Sequence, residues 1–311
     1  MKYLKIIATL TLLSCIGYFY LYIPTTIKVS SFKVSASHEL TAHRLLNDPK
    51  LLTNSVAPYF DIKKNKIVFE DIEFQIYPAL SNMIQIDIAT KNINTKSFIT
   101  ANAITKETTA INWFLEFKTS WNPLKRYADY QEAIKIKKAT SKLLNLLNDY
   151  VENPTHIYGF DIKELTLKDT VLISTKFINK QLPTTDQIYK AANELNAYLR
   201  KFQKTPLNNP MVTVLENPTN DYTIMVGISI NGEIPETNDF KIKRMPVNGK
   251  MFVTDVVGGS QNIQSGYAAL KAYLLDSKRP SPAVPFELLV TDRIRVRDTA
   301  QWQTRIYYPV M

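Results

Sequence analysis

GGSQNIQSGYAALKAYLLDSKRPSPAVPFELLV, residues 258–290, reads as an amphipathic helix that prolines deliver into a strand. From Ser260 the apolar positions Ile263, Tyr267, Leu270, Tyr273 and Leu274 recur at helical spacing and give one inward face. Pro280, Pro282 and Pro285 end the helix, since proline has no N–H to continue its ladder. The strand that follows holds a single charge, Glu287, among Phe286, Leu288, Leu289 and Val290. The same unit occurs 75 residues earlier without a gap. Ile188 matches Ile263, Leu195 matches Leu270, and Ala197-Tyr198-Leu199 matches Ala272-Tyr273-Leu274. Pro210 then matches Pro285, and Met211 to Leu215 matches Phe286 to Val290. A shared helical stripe is common among amphipathic helices, but a proline and a strand at the same offset indicate an internal duplication.

A chain of 311 residues suits two ordinary domains and a tail. Hydrophobic residues at 45% and charged residues at 21% are a folded composition, not a disordered one. The chain is basic, with 38 Lys plus Arg against 28 Asp plus Glu. The excess is scattered lysine, without an Arg-rich helix or basic–aromatic interleaving, so no nucleic-acid partner is expected. Residues 6–27 contain no charge, follow Lys2 and Lys5, and carry Tyr18, Tyr20 and Tyr22 near their far end. That is the length and flanking of a transmembrane signal anchor over 1–27. The rival readings are a cleaved signal peptide and a lipoprotein signal at Leu13-Ser14-Cys15. The anchor predicts a single-pass membrane protein with a cytoplasmic N-terminus and an extracytoplasmic bulk, periplasm-facing in a Gram-negative cell. Cys15 is the only cysteine, which leaves the folded part without a disulfide or a thiolate metal site.

Between 28 and 153 the pattern is strand 28–36, helix 38–47 capped by Ser35 or Ser37, and strands near 66–77, 83–91, 97–105 and 109–118. Alternation is clean in Met83-Ile84-Gln85-Ile86-Asp87-Ile88, the mark of an antiparallel sheet with one wet face. A long helix over about 127–152 closes this part, with Ile136, Leu143, Leu144 and Leu147 on one stripe. Residues 154–159 read as a linker. From 160 the pattern is strand 161–176, helix 184–203, strands 210–216, 221–230 and 239–246, and a tight Asn248-Gly249 turn into strand 250–257. The quoted helix, strand 285–291 and strand 304–310 complete the chain. The fold class expected is α+β: the anchor, a helix-grip antiparallel domain, and a duplicated strand-helix-strand-strand domain.

The strands, the Trp113–Trp121 segment, WNPLKRY at 121–127 and the closing helix resemble the START-like (SRPBCC, polyketide-cyclase-type) superfamily over 28–153. Gly258-Gly259 before the helix, Tyr267 within it, Pro285-Phe286-Glu287, Asp292 and the ending Thr304-Arg305-Ile306-Tyr307-Tyr308-Pro309-Val310 resemble the GyrI-like, SOUL-like effector-binding fold over 160–311. The second resemblance implies a small-molecule pocket in which an acidic residue at the place of Glu287 receives cationic, aromatic ligands. It also implies that some relatives hydrolyse electrophilic compounds with the same glutamate and a tyrosine. There is no DNA-binding helix pair beside it, unlike the transcription regulators that share this fold.

By strand alternation Glu287 shares a face with Leu289 and opposes Phe286, Leu288 and Val290. On an apolar wall its carboxylate would favour a cation or take a raised pKa; on a wet face it would pair with Arg293, Arg295 or Arg305. Tyr267, Tyr222, Phe252, Trp302 and Tyr307 are candidate ring walls for a cation, or ordinary core. In the first domain Trp113, Phe117 and Trp121 are candidates to line an apolar cavity, or ordinary core. His38, His43 and His156 do not cluster in sequence as metal ligands would, and Gly258-Gly259-Ser260 lacks the lysine of a phosphate loop. No cofactor or metal is expected, no catalytic residue unless Glu287 serves a hydrolase, and the sequence does not set the oligomeric state. The function expected is a membrane-anchored binder of amphipathic, hydrophobic or cationic small molecules. The alternatives are a hydrolase and a protein-interaction, inhibitor-type module.

Overall fold

A computed structural model describes residues 2–61, 66–77, 83–167, 171–246 and 248–311. Chain contacts divide it into two compact units, Met1–Ile157 and Tyr158–Met311.

The first unit opens with α1 (Lys2–Tyr22) and β1 (Thr26–Ser35), followed by α2 (Glu39–Asn47), α3 (Pro49–Ser55), β2 (Phe60–Asp61) and β3 (Lys66–Phe69). It continues through β4 (Ile72–Ile76), β5 (Met83–Ala89), β6 (Asn94–Ala103), β7 (Thr109–Lys118), α4 (Pro123–Val151) and the short α5 (Pro154–Tyr158), which occupies the expected linker. The strands form one seven-stranded antiparallel sheet in the order β1-β7-β6-β5-β4-β3-β2. β5 alternates half-buried and buried along its length, so one face of the sheet turns to the core. The long helix α4 lies on β1 and β7 and buries Ile136, Leu143, Leu144 and Leu147. It starts earlier than the apolar stripe predicts, because Asn122 accepts from the backbone N–H groups of Leu124 and Lys125 at 3.0 and 3.3 Å, and Pro123 suits a first helical turn. At α2 the cap position is His38, not Ser35 or Ser37, and it makes no side-chain cap bond.

The transmembrane anchor is not supported. Among the described residues no helix is long and apolar enough to cross a membrane. The uncharged run does not stay helical to its end: α1 stops at Tyr22, Ile23 is buried, and Thr26 and Ile27 already belong to β1. The uncharged helical part, 6–22, spans about 25 Å, short of a hydrocarbon core of about 30 Å. Ile23 is fixed by Arg126, whose Nε donates to its carbonyl at 2.8 Å. The single-pass topology and the extracytoplasmic location inferred from that anchor fall with it.

The second unit contains β8 (Lys163–Thr166), β9 (Val171–Asn179), α6 (Thr185–Lys201), β10 (Met211–Glu216), β11 (Tyr222–Ser229), β12 (Lys241–Arg244), β13 (Lys250–Val257), α7 (Ser260–Asp276), β14 (Phe286–Leu289) and β15 (Gln303–Val310). The expected strand over 161–176 is two strands, with 168–170 between them outside the described residues. One eight-stranded sheet runs β12-β9-β11-β10-β14-β15-β13-β8, and its order is symmetric about the β10–β14 junction. The helices α6 and α7 start and stop 75 residues apart. At the junction β10 and β14 pair antiparallel, and Val212 stands opposite Glu287. Those two residues are also 75 apart, so the duplicated positions meet each other at the centre of the sheet.

α6 closes its N-terminus with a capping box: Gln187 N–H donates to Thr184 Oγ1 at 3.3 Å, and Thr184 N–H donates to Gln187 Oε1 at 2.9 Å. α7 instead starts from Gly258 and Gly259. Gly258 has φ +118°, which a side chain would oppose. Each helix covers its own half of one sheet face: Ile188, Leu195 and Leu199 of α6 pack on Ile224 and Val226, and Ile263, Leu270 and Leu274 of α7 pack on Phe252, Val256 and Ile306.

Candidate functional site

Register decides which way Glu287 faces. It stands between Val212 on one side and Ile306 on the other, and these belong to the α6 and α7 cores. Glu287 therefore lies on the helix-covered face, where the two halves meet. Phe286 and Leu288 face the opposite side, with Met211, Met251 and Val253.

The carboxylate keeps a narrow exposed edge, its side chain 18% accessible. Its only ion-pair partner among the described residues is Arg293, whose Nη2 lies 3.8 Å from Oε2, outside hydrogen-bond length. The Tyr267 hydroxyl on α7 lies close enough to interact with it electrostatically. Burial pushes the Glu287 carboxyl above its usual range, and the Arg293 guanidinium and the Tyr267 hydroxyl oppose that push. Burial also raises the Tyr267 hydroxyl, and the Glu287 charge adds to it. For Arg293 burial lowers the pKa, while Glu287 and Tyr189 act the other way.

The segment between β14 and β15 supplies the rest of the cluster. Arg293 Nη2 donates to Thr304 Oγ1 at 2.7 Å, its guanidinium lies 4.6 Å over the Trp302 ring, and its buried Nε finds no acceptor among the described residues. Trp302 is itself fixed, its Nε1 donating to the Val296 carbonyl at 2.8 Å. From α6, the Tyr189 hydroxyl accepts from the Arg293 N–H at 2.8 Å and donates to the Thr291 carbonyl at 3.3 Å. Elements of both repeats thus converge on one carboxylate.

Of the sequence candidates, Glu287 and Tyr267 are close enough to influence each other's charge, and Trp302 joins through Arg293. Phe252 lies in the α7 core, edge-on to Tyr273 at 4.8 Å and under Arg279 at 5.0 Å. Tyr222 packs against the α6 core. Tyr307 is on the other face, stacked on Phe286 at 4.9 Å and 11°. Among the possible arginine partners, Arg295 pairs with Asp292 at 3.3 Å and Arg305 makes a two-pronged bond to Asp255 at 2.7 and 2.9 Å. In the first unit Trp113 is buried, donating to Ser97 Oγ at 2.9 Å and meeting Phe74 edge-on. Phe117 is half-buried, and Trp121 is 78% exposed. Sequence reasoning did not single out Tyr189, and it quoted Thr304 only within the closing motif, not as a site residue. Thr304 carries a signal, two residues before Ile306 on the same strand face; Tyr189 carries none, because it acts across to the other repeat. Among the described residues no three His, Cys, Asp or Glu side chains converge as metal ligands would.

No protein-family model matches the chain, and no curated protein matches it. Solved structures with a related arrangement include EcmrR bound to DNA, seen by cryo-EM: 15% identical, over 61% of this chain and 72% of that one, TM-score 0.44. SAV2435 bound to tetraphenylphosphonium is 12% identical over 48% of this chain and 93% of that one, TM-score 0.35. BexL, a di-domain ARO/CYC protein of the BE-7585A biosynthetic pathway, is 7% identical over 92% of this chain and 85% of that one, TM-score 0.31. These are likenesses of fold at low identity, and the functional reading rests on the geometry.

Proposed function

We propose that the C-terminal unit, read as a GyrI-like domain over 160–311 after a START-like domain over 28–153, binds small amphipathic molecules. Glu287 receives the ligand's positively charged group. The observation that carries this reading is a nearly buried carboxylate whose one cationic partner stands at 3.8 Å, at a place where the other repeat has Val212. The fold does not need a charge there, and a desolvated carboxylate without a close counter-ion favours a cation from outside. The Arg293 guanidinium over the Trp302 ring supports this reading, since a planar cation already lies on a ring face beside the carboxylate. A ligand cation would take up the interaction that Arg293 makes loosely.

The test is ligand-dependent thermal stabilisation of the full chain, with tetraphenylphosphonium against neutral triphenylphosphine oxide. Glu287→Gln should weaken the cation by about 1.5–3 kcal/mol, the worth of a charged contact, and leave the neutral compound unchanged. Equal loss for both would remove the electrostatic role. A second reading has its own observation, the Tyr267 hydroxyl beside a buried carboxyl of raised pKa. In it, Glu287 takes a proton from water attacking an electrophilic small molecule, and Tyr267 donates one to the departing atom. That reading requires turnover that both Glu287→Gln and Tyr267→Phe abolish.

A further inference from the structure

The sheet of the C-terminal unit has a second face, turned away from α6 and α7. Met211, Met251, Val253 and Phe286 are buried there, with Leu172, Met245, Leu288 and Tyr307 packed against them. Beside this cluster lies a cavity of about 680 Å³, a volume in the range of small-molecule sites, roughly 300–1,000 Å³. Its walls take in Met211, Met225, Met245, Met251 and Met311, five of the seven methionines in the chain. Such a concentration is not a consequence of composition. Methionine is unbranched and polarisable, and it lines sites that adapt to flexible apolar occupants.

The charged side chains that line this cavity are of one sign. Its lining includes Lys243 and Lys250 and no aspartate or glutamate. Lys250 is committed to Glu164 at 2.6 Å. Lys243 is exposed and among the described residues makes no ion pair. An apolar pocket with one uncommitted cation at its edge has the opposite preference from the Glu287 carboxylate, although Phe286 and Glu287 are neighbours on β14.

We propose that this cavity is a second ligand site, which takes a flexible apolar molecule with an acidic head group, such as a long-chain carboxylate. The chain lies among the methionines and Phe286, and the carboxylate meets Lys243. This site is separate from the Glu287 site and does not rest on it.

The experiment is a fluorescence titration of the full chain with dansyl-undecanoic acid. Competitors are dodecanoate, dodecylamine and tetraphenylphosphonium. Saturable binding is expected, displaced by dodecanoate at lower concentration than by dodecylamine, and undisturbed by tetraphenylphosphonium. Lys243→Glu, a surface change, should weaken the acid about five- to tenfold, the scale of an exposed charge pair reversed in sign, and leave the dansyl-undecanamide unaffected. Thr213→Trp, which puts a ring into the wall, should remove both. Absence of saturable binding, displacement by the phosphonium, or no effect of Lys243→Glu would overturn the proposal. If Thr213→Trp does not fold, the Lys243→Glu result decides.

Discussion

In the first repeat the junction strand presents Val212 and the helix above it presents Ala192, both buried. Seventy-five residues on, the same places hold Glu287 and Tyr267. The backbones correspond, since α6 and α7 are both 17 residues long and stand at that offset. What differs is polarity, and the connection that supports it. β10 and β11 are joined across 217–221, whereas β14 and β15 are joined across 290–302, and this longer segment carries Arg293 and Trp302. One repeat shows how the junction packs when it only has to be stable. The other holds a charged cluster at the same position, a cost in desolvation that the fold does not require.

Substitutions that make the second repeat like the first test what the charged cluster costs the fold. Glu287→Val alone leaves Arg293 buried without its counter-charge and should cost about 3 kcal/mol. Glu287→Val with Arg293→Leu should recover that loss or exceed wild-type stability, because a well-packed apolar pair avoids the desolvation penalty. Urea unfolding of the single and double variants measures both. A double variant no better than the single would mean that the cluster stabilises the junction.

The next effect concerns how closely the helices sit. Gly266 of α7 corresponds to Ala191 of α6. A Cβ at Gly266 would stand 2.6 Å from Val256 Cγ2 and 2.9 Å from Ile306 Cδ1. Gly266→Ala should therefore destabilise by about 1–2 kcal/mol through overpacking, despite a gain in helix propensity of about 1 kcal/mol. A stabilised variant would show that α7 can lift far enough from the sheet to admit a methyl group.

The smallest effect is on pH dependence. Burial holds the folded-state pKa of Glu287 above the ordinary carboxyl value that it has in the unfolded chain, so the folded chain binds the proton more tightly than the unfolded chain. Its contribution is fully present below that value and is lost as pH rises through the folded pKa. Denaturation of wild type and Glu287→Gln between pH 4 and 8 should show wild type losing stability relative to the glutamine variant as pH rises. A constant difference would mean that Glu287 does not titrate differently on folding.

Strand alternation placed Glu287 opposite Phe286 and Leu288, and the structure has that arrangement, because a strand with one side chain per side leaves no other choice. The partner of Glu287 was open among Arg293, Arg295 and Arg305. Two of these sit outside the periodic strands, where nothing in the sequence fixes a side chain's direction. Arg305 is excluded by register alone, since it pairs with Leu288 and bonds Asp255 on the far face. The apolar run at 6–27 misled for a related reason. Hydropathy counts residues, and it cannot see that the chain leaves the helix at Tyr22 and enters a sheet at Thr26.

By itself the sequence determined the duplication, the alternation that sends Glu287 and Phe286 to opposite faces, and the glycines and prolines that bound each helix, all of them local periodicities. Only the tertiary structure decided that Val212 and Glu287 meet, that Tyr189 reaches across from the other repeat, and that five methionines surround one cavity. Those facts depend on which strands become neighbours, and pairing between strands far apart in the chain is set by the packing of the whole sheet.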